Sequence, residues 1–441
     1  MKETILQFGT GNFLRGFADY FINELNKQGL YGGKIVVVSP TNSKAVEKIN
    51  AQKGRYNLLL RGIENVKEVS SINEINSISR AVNPYEDFDG FLSLAKNPDL
   101  RFIISNTTEA GISFDEACKL TDRPAGSFPA KLTQFLYERY KNNLNGFVIL
   151  ACELIDNNGK ELEKCVIKYS EKWNLSDDFI SWIKTENTFC NTLVDRIVTG
   201  YPKDEAEQIF DEIGYRDDLL DTAEPYHLWV IEGDFEYELT LQKAGFNVIW
   251  TDNVAPYKKM KVRILNGSHT SLVFPSLLCG VETVGESLKD ELLNAFLNTC
   301  LFDYILPMLD DNEDNRQFAK AVLERFANPY IRHLWKSISL NSISKFTARV
   351  LPTVNDYIDK KNSMPKPLVF SLACLIEYYK ANEVTDSEYA VDYIKNSDIK
   401  SILSNTALWG KDLSGMLDTV NESLERIHRD GIREAIKWSM S

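Results

Sequence analysis

The sequence predicts an α/β protein in two domains, a doubly wound parallel sheet over residues 1–255 and a mostly α-helical domain over 256–441. Three observations predict it. Short apolar runs alternate with helix-period segments through the first third of the chain. A glycine turn joins the first run to the first helical segment, and beyond about residue 280 the strand signal fades. A length of 441 residues also exceeds what one ordinary core holds.

Residues 4–8 form the first strand, followed by the glycine turn and an amphipathic run from Asn12 to about Lys27 that Gly29 is placed to end. Residues 34–39 are a second strand, with a continuous apolar run from Ile35 to Val38 of the kind a strand buried on both faces shows. Residues 101–105 and 146–150 are two more, separated by a helix from Pro129 to about Lys141 with proline in its first turn. Residues 56–61 and 66–78 alternate like strands of an antiparallel insertion. Helix periodicity then dominates over 288–306, 316–326, 368–382 and 413–438. The second domain is expected to open with a helix at Lys261, after a loop ending Ala255-Pro256-Tyr257.

Composition narrows the function. The chain is 44% hydrophobic and 26% charged, which places it among ordinary globular proteins. A net charge of −13 argues against nucleic acid as a partner, yet leaves room for a local basic pocket that takes an anionic small molecule. Seven scattered cysteines without a Cys-x-x-Cys, and an opening Met1-Lys2-Glu3-Thr4 with no secretory signal, point to reduced thiols in the cytoplasm. No apolar run is long enough for a bilayer, so no membrane partner is expected. The four histidines never pair at metal-ligand spacing, so no metal is expected either.

Gly9-Thr10-Gly11-Asn12-Phe13-Leu14-Arg15-Gly16 stands between the first strand and the first helix. Glycines there let a pyrophosphate approach the backbone, and Arg15 adds a charge within reach of a phosphate. The spacing departs from G-x-G-x-x-G, and a tight turn with no ligand is the plain alternative. The second strand ends in Ser39 rather than an acid, so hydroxyls and amides would meet the ribose; Lys44 would suit a 2′-phosphate, which makes NAD over NADP a preference. Thr107, Thr108 and Glu109 follow the strand at 101–105, beside the crevice where a dinucleotide binds, or else cap a following helix.

The densest chemistry lies in Lys261-Val262-Arg263-Ile264-Leu265-Asn266-Gly267-Ser268-His269. At about 100° per residue, Asn266 falls roughly 140° and His269 roughly 80° from Lys261, which puts an amine, an amide and an imidazole on one broad helix face. With no metal to take it, the hydroxyl proton of a secondary alcohol must go to a side chain during oxidation. A lysine serves if burial and neighbouring charge, here Lys258, Lys259 and Arg263, lower its pKa. Asn266 would donate to the developing alkoxide and His269 would orient it. Taken singly, Lys261 reads as a solvated lysine and His269 as a structural histidine; their conjunction is the signal.

These residues resemble the polyol-specific long-chain dehydrogenases, the group that contains mannitol dehydrogenase, fructuronate reductase and tagaturonate reductase. The anchors are Gly9-x-Gly11-Asn12-Phe13-x-Arg15-Gly16, Thr107-Thr108-Glu109-Ala110-Gly111, Val194-Asp195-Arg196-Ile197 and Lys261-x4-Asn266-x2-His269. Residues 128–133, 152–156 and 263–270 are most similar to the tagaturonate-reducing branch. The resemblance implies a Rossmann-type first domain, a helical second domain, and a metal-independent enzyme that uses NAD to interconvert a hexuronic keto acid and its aldonate. It also implies Lys261 as general base, Asn266 and His269 as ligands of the reacting oxygen, and Asp195 in the active-site region. Fructuronate or a polyol is the sibling substrate; a nicotinamide-binding sensor without turnover is the reading from another class.

Mannitol dehydrogenases carry Asp-Asn after the cysteine that matches Cys152, whereas this chain has Glu153-Leu154, so a second donor would come from Asn157 or Asn158. A uronate carboxylate calls for a cation. Residues 330–336 and 344–349 supply candidates, Lys345 first and Arg332 next.

Overall fold

The computed structural model describes residues 1–310 and 312–441. Two compact units result, Met1–Ala255 and Pro256–Ser441.

The first unit is built on six parallel strands in the order β5-β2-β1-β6-β7-β8. They are β1 (Lys2–Phe8), β2 (Gly33–Val38), β5 (Ile78–Val82), β6 (Phe102–Ser105), β7 (Val148–Ala151) and β8 (Thr188–Cys190). Alternate residues feed two separate cores. Ile5, Ile35, Val37, Ile104 and Leu150 point to one face, and Leu6, Phe8, Val36, Val38 and Ile149 to the other. Burial on both faces is why these strands read as unbroken apolar runs. The strand order reverses between β1 and β6, and ligands of open α/β sheets bind outside the strand ends at such a reversal.

The expected antiparallel insertion exists as β3 (Tyr56–Glu64) and β4 (Lys67–Ile75), with the parallel β10 (Asp221–Ala223) on the other edge of β3. Ile78, which the alternation assigns to the insertion, belongs to β5 in the main sheet. A third sheet, β9 (Thr192–Asp195), β11 (Leu228–Glu232) and β12 (Val248–Thr251), completes the unit. The helical run after the glycine turn breaks at Gly16 and Phe17 into Asn12–Arg15 and Ala18–Lys27. The helix Phe128–Lys141 starts as expected, with Ser127 accepting from the Ala130 amide and proline in the first turn.

Among its described residues the second unit is helical apart from one isolated antiparallel bridge, Thr283 to Leu334. Its buried centre is Lys366–Ala381, packed on Gly267–Leu278 and on Leu417–Asp430. Gly431, at φ 82°, splits the expected run over 413–438 into Leu417–Asp430 and Ile432–Ser439. The unit's first helix begins at Ala255, so Ala255-Pro256 open a helix instead of ending a loop; proline fits a first turn because its missing N–H has no partner there anyway. Among the described residues no helix is long and apolar enough to cross a membrane.

Candidate active site

The glycine turn lies at the C-terminal end of β1 on the sheet's reversal point. Gly9 sits at φ 136°, and a Cβ there would lie 2.7 Å from the Asn106 carbonyl oxygen, so only glycine lets the turn pass the end of β6 so closely. Gly9 donates its amide to Val38 and Asn106 donates to Phe8, which ties three strand ends together. Gly11 is exposed, nothing lies within 4 Å of where its Cβ would be, and no side chain caps the helix that follows. That open glycine backbone is the cradle a pyrophosphate needs. Thr10 and Asn12 flank it, while the Phe13 ring turns back to stack on Phe17 at 4.9 Å.

Arg15 does not face this cradle. Its guanidinium is buried beneath the turn, where Nη1 donates to the Thr10 carbonyl at 2.9 Å and Nη2 to Asn12 Oδ1 at 2.6 Å. The phosphate contact expected of Arg15 is therefore corrected: Nη1 and Nη2 are spent on the loop, and Nε lies 3.7 Å from Asp221 Oδ2. Ser39 is likewise fully buried and donates to the Thr41 carbonyl at 2.6 Å, so its hydroxyl is not offered to a ribose.

After β6 the chain turns without forming the helix that Thr108 and Glu109 would have capped. Thr108 stands at φ 81°, and it and Glu109 are exposed. Thr107 is pinned by both its amide and its hydroxyl to Glu153 Oε1, each at 3.0 Å, and Ser105 donates to Glu153 Oε2 at 3.0 Å. Burial raises the pKa of Glu153, with these donors pulling it back down. Asp195 ends β9 in register with Leu228 and is buried. Its neighbour Arg196 is also buried, and spends donors on the carbonyls of Glu224 and Gly16, both at 2.8 Å.

In the second unit, Lys261 closes the helix Ala255–Lys261 and is half-buried. Val262–Asn266 then forms a π-helical turn before the helix Gly267–Leu278. An i→i+5 turn brings residues five apart towards one another, so Asn266 stands nearer the Lys261 side of the helix than an α-helical count gives. The Asn266 amide is half-exposed and makes no hydrogen bond among the described residues. His269 stacks on Phe326 at 4.0 Å and meets His333 and Trp335 edge-on. Its Nε2 is buried without a hydrogen-bond partner. Burial, then the charges of His333, Arg325, Arg349 and Lys345, drives its pKa well below the usual value, so the ring is neutral at neutral pH. An open amide beside an orphaned neutral imidazole nitrogen fits an uncharged hydroxyl or carbonyl of a ligand.

Arg263 points elsewhere. It donates to Thr353 Oγ1 at 2.7 Å and to Asp356 at 3.1 Å, so its charge is already offset rather than lent to Lys261. Arg332 is 77% exposed and pairs with Glu282 at 3.5 Å, a solvated surface pair instead of a substrate contact. Lys345 Nζ donates to the Ile338 carbonyl at 2.8 Å, and burial lowers its pKa. Arg349, at the end of the same helix, is half-buried and makes no hydrogen bond or ion pair among the described residues. Its carbonyl lies 3.2 Å from where a Cβ on Gly267 would be, directly against the Asn266–His269 segment.

Residues 3–243 match the model of the mannitol dehydrogenase Rossmann domain, and residues 253–428 that of the mannitol dehydrogenase C-terminal domain. The chain belongs to the mannitol dehydrogenase family. It is an oxidoreductase acting on a CH–OH group. Among this family's members, the altronate oxidoreductase of Bacillus subtilis (strain 168) is 42% identical, over 99% of this chain and 95% of its own. That of Yersinia enterocolitica serotype O:8 / biotype 1B is 41% identical over 98% and 96%. The fold matches D-sorbitol dehydrogenase in substrate-free form with a TM-score of 0.86, at 23% identity over 99% of this chain and 95% of that one. It also matches Pseudomonas fluorescens mannitol 2-dehydrogenase, solved with NAD and D-mannitol, with a TM-score of 0.72 at 21% identity over 99% and 94%.

Against the family pattern, Glu153 does not replace the missing amide as a ligand group; it clamps the loop after β6. Asn158 is no substitute donor either. Its amide donates to the carbonyls of Glu153 and Thr192, and its Oδ1 accepts from the amides of Gly159 and Thr192. All four contacts lie between 2.8 and 3.0 Å, in a residue that is 2% exposed. Leu154, Asp156 and Asn157 are exposed at this point, and Asn157, the other candidate, stands at φ 52° with no side-chain bond to the helix it precedes.

Proposed function

We propose that this enzyme is an NAD-dependent altronate oxidoreductase, interconverting D-altronate and D-tagaturonate in the cytoplasm. The observation that carries the reading is the Lys261–His269 segment, with its open amide and orphaned imidazole nitrogen, in a chain 42% identical to an altronate oxidoreductase over 99% of its length.

Backbone amides at Thr10 and Gly11 would hold the dinucleotide's pyrophosphate, with Gly9 making the close turn that presents them and Asn12, Phe13, Thr108 and Glu109 along the same strand ends. When bound, the nicotinamide supplies the hydride acceptor of altronate oxidation. Lys261 Nζ takes the hydroxyl proton in that direction and returns it to the alkoxide in the other. Asn266 donates to the oxygen as charge develops, and the neutral His269 fixes its position through Nε2. Asp195 keeps the active-site role that its match to the family motif implies. Because His269 carries no charge, the proton stays on the lysine side of the reaction. The substrate carboxylate falls to Lys345 and to Arg349, the half-buried guanidinium with donors to spare.

Oxidation of altronate with NAD is the test. The expected result is tagaturonate, with NADH and one proton formed per substrate. Failure to oxidise altronate, with turnover of an uncharged hexitol instead, overturns the uronate reading.

A further inference from the structure

Arg15 sits under the glycine turn on a buried acidic floor that the chemistry above does not use. Its Nε lies 3.7 Å from Asp221 Oδ2, and its guanidinium carbon 5.9 Å from the centre of the Tyr56 ring. Tyr56 donates its hydroxyl to the Arg15 carbonyl at 2.7 Å. Gln7 donates to the Gly9 carbonyl at 3.1 Å, so the turn is held from below at Gly9, Thr10, Asn12 and Arg15. Asp19 and Asp221 are both 0% exposed. Neither oxygen of Asp19 accepts a hydrogen bond of full geometry, and Asp221 Oδ2 accepts none. Both buried carboxylates feel the charge of a guanidinium whose Nη1 and Nη2 are committed to the loop.

We propose that Arg15 is a positioning residue for the dinucleotide turn, and that its partners Asp221 and Asp19 make the turn's grip on an anionic dinucleotide depend on their protonation. This rests on the dinucleotide reading above. The charged and titratable groups facing the pair are Arg15, Tyr56, Arg196 and Asp217. For each acid, burial is the leading cause that raises the pKa to about 7; Arg15 pulls both down, Asp221 pushes Asp19 up and Asp217 pushes Asp221 up. With the acids protonated, Arg15 leaves a net positive charge beneath the turn. As they ionise, that charge is cancelled. A pyrophosphate on the loop amides therefore binds better to the protonated form, and by reciprocity its binding takes up protons. The window is centred on neutrality, where a small change in proton activity changes the charge under the loop.

The measurement is the Kd of NADH for the full-length enzyme, by fluorescence titration from pH 6 to 8.5, with no sugar acid present. Wild type is expected to bind NADH more weakly by a factor on the order of ten at the alkaline end, the equivalent of one pKa unit of coupling. Asp221→Asn should shrink that slope, and Asp19→Asn does the same duty if the first variant fails to fold. At pH 7, Arg15→Met should weaken NADH binding about tenfold, with Arg15→Lys recovering part of the loss. A pH-independent Kd in wild type, or a wild-type slope in both Asn variants, overturns the brace while leaving the dinucleotide reading intact. A wild-type enzyme that binds no NADH at any pH overturns both.

Discussion

The glycine turn and the Lys261–His269 segment offer different kinds of group to a ligand. Around the glycine turn, Arg15, Ser39, Thr107, Glu153 and Asn158 all spend their hydrogen bonds inside the protein. What remains open is backbone, at Gly11 above all. Around the Lys261–His269 segment, the Asn266 amide and the Arg349 guanidinium are unpaired among the described residues, and His269 Nε2 is buried without a partner. On the proposed reading a constant phosphate is met by main chain, at a turn that Arg15 Nη1 and Nη2 hold from below and beside a loop that Glu153 clamps. On the same reading, telling one sugar acid from another and moving its proton falls to side chains left open, with His269 held by its stack on Phe326.

That contrast can be broken by mutation. Lys261→Ala carries the largest expected effect, a loss of about 10²–10⁴ in kcat, with NADH affinity held in a fluorescence titration. Asn266→Ala and His269→Ala come next, each lowering kcat by on the order of 10²–10³, again with NADH binding kept. If either variant lost NADH affinity and kept its kcat, the division of labour would be wrong. Arg349→Ala should raise the KM for tagaturonate by roughly tenfold or more, the worth of about 1.5–3 kcal/mol for a charged hydrogen bond. Its KM for uncharged fructose should hardly move; equal loss on both substrates would remove Arg349 from the carboxylate. Arg332→Ala is the smallest, because its solvated pair with Glu282 is worth about 0–1 kcal/mol, and both KM values and the melting temperature should stay at wild-type values.

Much of this was legible in sequence because it is local. Continuous apolar runs at β2 and β7 announce burial on both faces, and the Lys–Asn–His spacing announces one helix face. Several of the misreadings come from partners distant along the chain. Arg15 looks like a phosphate ligand until Asp221, more than two hundred residues on, is seen beneath it. Asn158 looks like a spare donor until Thr192 takes both ends of its amide. Arg332 and Lys345 are both cations on helix-period segments, and the fold separates them by pairing Arg332 with Glu282 at the surface and half-burying Lys345 against the Ile338 carbonyl. The π turn over Val262–Asn266 has no local signature in an apolar sequence that suits an α-helix equally well.

The most direct measurement is the initial rate of NADH oxidation with tagaturonate, fructuronate and fructose side by side at equal enzyme and coenzyme. Tagaturonate should give the highest kcat/KM, fructuronate less, and fructose least, since only a uronate engages Lys345 and Arg349 as well as Asn266 and His269. A kcat/KM for fructose equal to or above that for tagaturonate would contradict it.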